Sequence, residues 1–229
     1  MYRIIMVTGE NEYTLHDPRD DALRVVSPQL DLEMGKTGSL TFSVPPTHPY
    51  VNQIQPLASE IYVYSHIGEA EELIFCGRPI GRQEDFYRTG ELECEGELSY
   101  LLDSIQRPFE FQGNIPDFFS QCLANHNSQV ESRKQFTVGN ITVMDTNNYI
   151  NRSNSNHANT METLQDKLVD THGGYLRVRH SGSVRYLDYV TDYGGINDQV
   201  IRFGENLIDM TRHVDPTTII TALIPVGAE

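Results

Sequence analysis

The first hundred residues alternate between short runs rich in β-branched and aromatic residues and separators rich in Gly, Pro and Asp. Apolar residues at every second position are typical of a strand with one buried face, and the separator residues favour turns. The pattern predicts six strands, over residues 2–7, 23–34, 38–45, 60–66, 72–82 and 90–96. Six short strands at near-regular intervals favour a small β-barrel or sandwich.

The hydrophobic period changes at Gly96. From Glu91 to Glu95 the acids alternate with Leu92 and Cys94, which predicts a strand with one apolar face and one solvated acidic face. After Gly96 the apolar residues take the helical spacing i, i+3, i+4 and i+7. They are Leu98, Leu101, Leu102 and Ile105. We interpret the change of period as a junction between a β domain and a second region.

The second region begins with a helical pattern followed by a strand pattern. Residues 115–130 predict a helix that accepts Pro116 in its first turn. Three of its side chains are expected to face inward: Phe118, Phe119 and Cys122. A strand is predicted over residues 134–143, so this region is of the α+β class.

A polar stretch over residues 145–160, dense in Asn and Ser, predicts an exposed loop. Thr160 is predicted to cap a helix over residues 161–172, which ends at Gly173 and Gly174, where a positive φ is commonly needed. The apolar side of this helix is formed by Met161, Leu164, Leu168 and Val169.

The last part of the chain predicts further strands. Residues 175–190 predict a hairpin whose tip lies at Ser181 and Gly182. The β-branched run over residues 217–229 predicts a strand that returns to the first domain. The fold class is therefore α+β and mostly β, with an α+β region inserted into a β domain.

The net charge of −15 is unevenly distributed along the chain. Residues 1–112 contain 19 acids and 8 bases, a balance of −11, whereas residues 113–229 contain 13 acids and 9 bases, a balance of −4. Such a balance argues against gripping nucleic acid or docking on anionic lipid, since both are negatively charged.

Targeting and redox features are few. No basic run, apolar stretch of 18 residues or amino-terminal signal pattern is present, so we expect synthesis and folding in a cytoplasm and no membrane anchoring. The three widely spaced cysteines predict reduced thiols. They are Cys76, Cys94 and Cys122.

Motifs of enzyme chemistry are absent from the sequence. It contains no G-x-S-x-G, no phosphate-binding G-x-x-x-x-G-K, no C-x-x-C and no H-E-x-x-H. Cys122 and His126 lie four residues apart on a predicted helix, but two ligands do not make a metal site, and a buried thiol beside a surface histidine is the better interpretation. His213 and Asp215 have no nucleophile in a motif nearby. We therefore predict no catalytic, cofactor-binding or metal-binding residues.

Two groups of charged residues invite a functional interpretation. The carboxylates at residues 84–85 and 91–95 suggest glycosidase chemistry, but a row on one strand face is better explained as solvated surface. Arg177, Arg179 and Arg185 lie among tyrosines on the hairpin, as on a nucleic-acid platform. In an acidic chain, cross-strand pairing with acids such as Asp188 and Asp192 is the better interpretation, and a protein contact is the next.

Five ordered motifs resemble the amino-terminal hub region of phage tail minor structural proteins, also described as tail-associated lysins or prophage tail endopeptidases. They lie at residues 97–108, 125–130, 173–190, 199–210 and 220–228. The specific matches are Gly173, Gly174, Tyr175, Arg179, Leu187, Asp188, Tyr189, Phe203, Gly204, Asn206, Leu207, Thr221, Ile224, Pro225 and Gly227.

The resemblance implies a homotrimeric hub at the tail tip of a virion, similar in fold to the baseplate hub of contractile-tailed phages. In that fold, two tube-like β-barrels per subunit give the trimer a pseudo-sixfold face for the rings of distal tail protein and tail tube. Further implied partners are the tape measure protein and receptor-binding proteins. DNA passes through without specific binding, and no cofactor is implied.

The resemblance also implies a domain organisation. Residues 1–107 plus 215–229 would form a tail-tube-like β-barrel, and residues 108–214 an inserted α+β domain. Members of this family usually run further, and many continue into a peptidoglycan hydrolase or a fibre. Because this chain stops at Glu229, we expect a fragment or a short version whose second barrel is incomplete, with no enzymatic activity of its own.

Two other classes of function remain open at this point. A cell-wall endopeptidase would require a nucleophile or a zinc cluster in a cleft. A carbohydrate-binding receptor module is motivated by the Asn- and Ser-rich stretch at residues 145–160 and by the tyrosines of the hairpin.

Overall fold

The computed structural model describes residues 2–21, 23–66, 71–84, 86, 89–182, 184–194 and 199–212. Seven strands form the first sheet: β1 Tyr2–Thr8, β2 Asn11–His16, β3 Val26–Asp31, β4 Ser39–Val44, β5 Glu60–Ser65, β6 Glu72–Glu84 and β7 Gly90–Gly96. Their spatial order is β2-β1-β5-β6-β7-β4-β3, and every neighbouring pair is antiparallel. The sheet curls into a half-barrel in which β2 and β3 are the edge strands among the described residues.

The six predicted strands are confirmed, but the sequence pattern missed β2. Residues 8–12 were expected to be a separator, whereas Thr8 pairs with Asn11 across a two-residue turn. Gly9 adopts a φ of +61° there, a conformation that glycine reaches without strain. The turn therefore starts a hairpin, in which only Leu15 of β2 is fully buried.

The predicted alternation along β7 is confirmed. Leu92 and Cys94 are fully buried in the first core, while Glu91 and Glu93 are exposed on the other face. The first core fills the curl of the sheet. It consists of Ile4, Met6, Leu15, Val25, Leu40, Phe42, Val44, Val51, Ile54, Ile61, Val63, Phe75, Leu92 and Cys94.

The predicted apolar stripe after Gly96 is partly wrong. Residues Glu97–Asp103 form a 3₁₀-helix, whose three residues per turn place Leu98, Leu101 and Ser104 in successive buried positions. Leu102 and Ile105, which an α-helical spacing would have buried, are 45% and 50% exposed.

The second region contains short strands around two helical segments. They are β8 Ile105–Gln106, β9 Phe109–Gly113, α1 Ile115–Asn127, β10 Thr137–Ile141, β11 Ile150–Asn154, β12 Ala158–Asn159, α2 Thr160–Leu164, a π-helical turn Gln165–Val169, α3 Asp170–His172, β13 Tyr175–Ser181 and β14 Val184–Val190. Two further 3₁₀ turns lie at Val51–Gln53 and Ser132–Lys134. β14 lies between β13 and β10, antiparallel to the former and parallel to the latter, while β9 pairs with β11 and β8 with β12.

The polar stretch at residues 145–160 is not a loop throughout, because β11 and β12 lie within it. Asn159, rather than Thr160, caps the following helix in a capping box with Glu162. Thr160 is instead buried, with its hydroxyl 2.6 Å from the hydroxyl of Ser104.

Glycines lie at the end of the second helical segment and at the tip of the hairpin. The helical segment ends at Gly173 and Gly174, which have φ values of +73° and +81°, as predicted. Ser181 pairs with Val184, so the hairpin tip lies one residue later than predicted, after Ser181.

The second core lies between α1, the 160–172 helical segment and the three-stranded sheet. It consists of Leu98, Tyr100, Leu101, Ile115, Phe118, Phe119, Cys122, Leu123, Phe136, Val143, Ile150, Leu164, Leu168, Leu176, Leu187 and Tyr189. The inward face predicted for α1 is thus confirmed, and the 3₁₀-helix after β7 packs into this core. The α+β, mostly β fold class is confirmed.

Residues 1–193 and 194–229 form two separate units. In the second, Phe203 and Leu207 form a β-bridge around Gly204, whose φ is +81°. The predicted returning strand over residues 217–229 lies outside the described residues. Among those described, no helix is both long and apolar enough to cross a membrane.

Candidate functional site

A cluster of ionisable side chains lies between the first sheet and the β13–β14 hairpin, and we call it the junction cluster. Its members are Glu60, Cys76, Glu97, His180 and Arg185. Phe75 belongs to the first core, so its neighbour Cys76 faces the opposite side of the sheet. The hairpin supplies His180 and Arg185, which lie opposite each other in register.

Glu97 is the centre of the junction cluster and is only 5% exposed. One carboxylate oxygen accepts from Arg185 Nε, and the other lies 2.6 Å from His180 Nε2. Arg185 also donates to the carbonyl of Arg133 and lies 3.6 Å from a Glu60 oxygen. Burial raises the pKa of Glu97, but the His180 hydrogen bond and the Arg185 charge outweigh it, so its pKa is lowered. Glu97 is therefore a buried carboxylate that keeps its charge.

The thiol of Cys76 completes the junction cluster. It is buried, and this burial, together with the negative charge of Glu97, raises its pKa well above the ordinary range. The thiol is therefore protonated at neutral pH and a poor nucleophile. Cys94 and Cys122 are buried as well, and all three cysteines are free, as predicted.

Tyr100 separates the junction cluster from a second group of ion pairs. The guanidinium carbons of Arg78 and Arg185 both lie 5.2 Å from the centre of its ring. At that distance an aromatic ring attracts a cation. Tyr100 thus contacts the charged side chains of both groups while its ring remains in the second core.

The second group of ion pairs is built around Arg78, which is 5% exposed. It pairs with Glu95 at 2.8 Å and donates to Asp103, which also accepts from Lys134 at 2.7 Å. Burial raises the pKa of Asp103, but its bonds to Arg78 and Lys134 outweigh this and lower it. Charged groups therefore join the first sheet to the second region at two places.

The pair predicted from spacing on α1 has a structural role. Cys122 and His126 are both buried, so the expectation of a surface histidine was wrong. His126 Nδ1 lies 2.6 Å from the Ser104 hydroxyl and Nε2 lies 3.1 Å from the Lys134 carbonyl. Both ring nitrogens are therefore occupied within the protein, which leaves neither for a metal.

The burial of His126 predicts a dependence of stability on pH. Burial lowers its pKa from the ordinary 6.5, so below pH 6.5 the unfolded chain takes up a proton that the folded chain resists. We expect its contribution to stability to be complete above pH 6.5 and to be lost as the pH falls, by at most about 1.4 kcal/mol per pH unit.

Denaturant unfolding at several pH values measures this contribution. His126→Gln should flatten the slope of unfolding free energy against pH below neutrality, whereas His157→Gln, a change of an exposed histidine, should leave it unaltered. Equal slopes in His126→Gln and the unmodified chain would contradict the assignment.

The arginines of the hairpin are engaged by buried acids. Arg177 and Arg179 bind the fully buried Asp188 at 2.9 and 3.2 Å, which confirms the predicted cross-strand pairing. Burial raises the pKa of Asp188, but its bonds to Arg179 and Arg177 and to the backbone amide of Asn140 outweigh this and lower it. Arg185 differs from the prediction, because it pairs with Glu97 and not with an acid of the hairpin. All three guanidinium groups are therefore paired with buried carboxylates of the protein.

The predicted solvated carboxylates are partly confirmed. Glu84, Glu91 and Glu93 are exposed, and Glu84 also pairs with Arg82 at 2.7 Å, whereas Glu95 is partly buried and pairs with Arg78. The residues at 85, 213 and 215 lie outside the described part of the chain. The described carboxylates of this row therefore contain no pair across a cleft of the kind that glycosidases use.

The sequence pattern did not predict the junction cluster. Period-2 alternation places Glu97 on the same face as Glu93 and Glu95, where solvent is expected. It is buried because His180 and Arg185, which lie 83 and 88 residues later, cover it. No local pattern in the sequence carries that information.

Solved structures show what this fold is similar to. No protein-family model matches the chain, and no curated protein matches it. The prophage tail protein gp18 from Listeria monocytogenes EGD-e is 19% identical, with a TM-score of 0.54 over 90% of this chain and 56% of its own. The fold resembles that of prophage tail proteins.

Two further tail proteins show the same likeness. The 43 kDa tail protein of prophage MuSo2 from Shewanella oneidensis is 15% identical, with a TM-score of 0.50 over 82% of this chain and 52% of its own. A tail protein from Neisseria meningitidis MC58 is 11% identical, with a TM-score of 0.51 over 81% and 50%. The chain thus spans about half the length of the tail proteins that it matches.

Proposed function

We propose that the chain is a structural subunit of a phage-type tail and forms the trimeric hub at the tail tip. The similarity in fold to three tail proteins, two of them from prophages, over 81–90% of the chain, carries this proposal. The ordered motifs of the sequence support it independently, because they resemble the hub region of tail minor structural proteins. In this role the trimer joins the sixfold rings of distal tail protein and tail tube to the central tip, with the tape measure and receptor-binding proteins as further partners.

The open edges of the first sheet support assembly into a ring. Among the described strands, β2 and β3 each have one neighbour, and with the proposed returning strand added at one side the sheet still ends in two different edges that can pair with a second molecule. Two different edges on one subunit suit head-to-tail contacts, and such contacts close into a ring when the rotation between subunits allows it. The proposed domains are residues 1–107 plus 215–229 for the ring-forming barrel and 108–214 for the inserted domain.

The role that we propose is structural rather than enzymatic. The tail-associated lysins that the sequence resembles carry their hydrolase in further domains, and the junction cluster holds its thiol protonated by burial. Digestion of purified peptidoglycan by the chain, lost in a Cys76→Ser variant, would favour a lysin instead.

Light scattering over a range of concentrations tests the trimer. For the 26.0 kDa chain we expect a species of about three times that mass, because one head-to-tail interface closes the ring. Gln29→Lys on the edge strand β3 should shift the mass toward that of the monomer, because a charged side chain on an edge strand opposes pairing with a further strand. Gln112→Lys makes the same change at an exposed position of β9 and is the control. A strict monomer at every concentration, alone and with a distal tail protein ring, would contradict the proposal.

The acidic face of β7 predicts an effect on DNA passage. We propose that Glu91 and Glu93, both exposed, face the exit channel, where like charge keeps DNA from adhering to the wall. Glu91→Gln with Glu93→Gln should slow ejection from assembled tails. Glu110→Gln with Glu205→Gln removes the same charge from exposed positions elsewhere. If Glu91→Gln with Glu93→Gln leaves the ejection kinetics unchanged, these two residues do not act in the exit channel.

A further inference from the structure

The junction cluster brings together three donors of different chemistry. The Cys76 thiol, a Glu97 carboxylate oxygen and a His180 ring nitrogen all lie within 4.8 Å of one another. They come from β6, from the residue after β7 and from β13, so the fold and not a local motif assembles them. Among the described residues, this is the only group of three or more His, Cys, Asp and Glu side chains close enough to share an ion.

We propose that Cys76, Glu97 and His180 bind one Zn²⁺ ion. Thiolate sulfur, imidazole nitrogen and carboxylate oxygen are the three ligand types that zinc takes in proteins. With bonds of about 2.0–2.3 Å, tetrahedral zinc separates its ligands by about 3.3–3.8 Å, so side-chain shifts of about 1 Å form the site. The site does not require a role in a tail, and digestion of peptidoglycan that depends on added zinc would favour the endopeptidase alternative instead.

The open side of the cluster supplies the fourth position. Cys76, Glu97 and His180 all line a cleft of about 550 Å³ between the first sheet and the hairpin. A water molecule in this cleft can complete a tetrahedron, because zinc sites with three protein ligands keep one position for solvent. The cleft is also the path by which the ion enters.

The charges around the site balance when zinc is bound. Binding forms a zinc–sulfur bond and breaks the S–H bond of Cys76, and the proton leaves to solvent through the cleft. The two positive charges of the ion then meet the negative charges of the Cys76 thiolate and Glu97, while Arg185 stays paired with Glu97 and with Glu60. Each buried charge of the cluster therefore keeps a partner of opposite sign.

Arg185 orients the carboxylate for this purpose. Its Nε binds one oxygen of Glu97, which leaves the other oxygen, now 2.6 Å from His180 Nε2, to the ion. Arg185 is thus a positioning residue that holds a ligand from the outer shell, an arrangement common around metal ions. Zinc bound in this way cross-links the first sheet to the hairpin.

Titration of the full chain with Co²⁺, followed by competition with Zn²⁺, tests the site. We expect one ion per chain by native mass spectrometry and a near-ultraviolet sulfur-to-cobalt charge-transfer band, which zinc abolishes. Zinc should also raise the melting temperature, and a chelator should reverse the rise. His180→Gln should weaken zinc affinity at least about tenfold, the loss that removal of even an outer-shell partner causes.

Substitution of a second buried cysteine distinguishes binding at this site from adventitious binding. Cys76→Ser should abolish the charge-transfer band, whereas Cys94→Ser, a change of a thiol buried on the opposite face of the same sheet, should leave it intact. The absence of a band from the unmodified chain, or its persistence in Cys76→Ser, would overturn the proposal. Should Cys76→Ser not fold, undiminished zinc affinity in His180→Gln overturns it equally.

Discussion

Glu97→Gln is expected to lower the free energy of unfolding by about 3–5 kcal/mol in buffer that contains a chelator. The change keeps the shape of the side chain but removes the charge that pairs with Arg185 and His180. Arg185, whose side chain is 9% exposed, is then left buried with one fewer compensating charge, and desolvation of an unpaired ion is costly. Urea unfolding at neutral pH measures the loss.

Two comparison variants show whether the loss comes from the buried charge. Glu93→Gln removes an exposed carboxylate four residues earlier and should change the free energy of unfolding by less than about 0.5 kcal/mol. Arg185→Met combined with Glu97→Gln should be more stable than Glu97→Gln alone, because the buried guanidinium that has lost the Glu97 carboxylate is then removed as well. A loss below about 1 kcal/mol in Glu97→Gln would mean that water reaches and screens the pair.

The sequence was sufficient for elements whose burial follows the local period. β7 was predicted because Leu92 and Cys94 alternate with acids, and α1 because its apolar residues share one face. β2 and β11 were missed because each buries only one side chain, Leu15 and Ile150. Their strand conformation is set by pairing with β1 and β9, and their own sequences show at most one pair of apolar residues two positions apart, Tyr13 and Leu15 of β2, which is too short a pattern to predict a strand.

One of the motifs that suggested a tail protein, residues 173–190, contributes to the second core. Gly174 has a φ of +81°, and a Cβ there would lie 2.6 Å from the Val143 side chain. The Tyr189 hydroxyl donates to the Gly173 carbonyl at 2.7 Å, and the fully buried Asp188 holds two arginines. These residue types are needed for packing, which is why short motifs pointed to a fold.

The junction cluster could not be predicted from local patterns in the sequence. The donors of the junction cluster lie at positions 76, 97 and 180, and no spacing rule for metal ligands covers such separations. Cys122 and His126 have a helical spacing that suits a metal, yet both nitrogens of His126 bind other groups. Spacing along the chain reports shared faces of one element, whereas this cluster depends on how three elements meet.

Phe119→Ala is expected to lower the free energy of unfolding by about 3–5 kcal/mol. Phe119 is fully buried in the second core, where its ring stacks on that of Tyr189, with 6.1 Å between their centres and 8° between their planes. The change removes this contact and leaves a cavity that α1 and the sheet cannot close without moving. Phe203→Ala makes the same truncation at a residue that is 84% exposed and should cost less than about 0.5 kcal/mol.

The same variant shows whether the two cores unfold together. Native-state hydrogen exchange should reveal equal losses of protection in α1 of the second core and in β4 of the first. We expect this coupling because the 3₁₀-helix Glu97–Asp103 continues directly from β7 into the second core, and because Glu97 and Arg78 bind across the boundary. Loss of protection confined to α1 would show that the first sheet folds alone. Equal loss of protection in α1 and β4 would mean that the two cores unfold as one unit. The charged residues at the junction would then couple the first sheet to the second core, although Phe119 belongs to the second core alone.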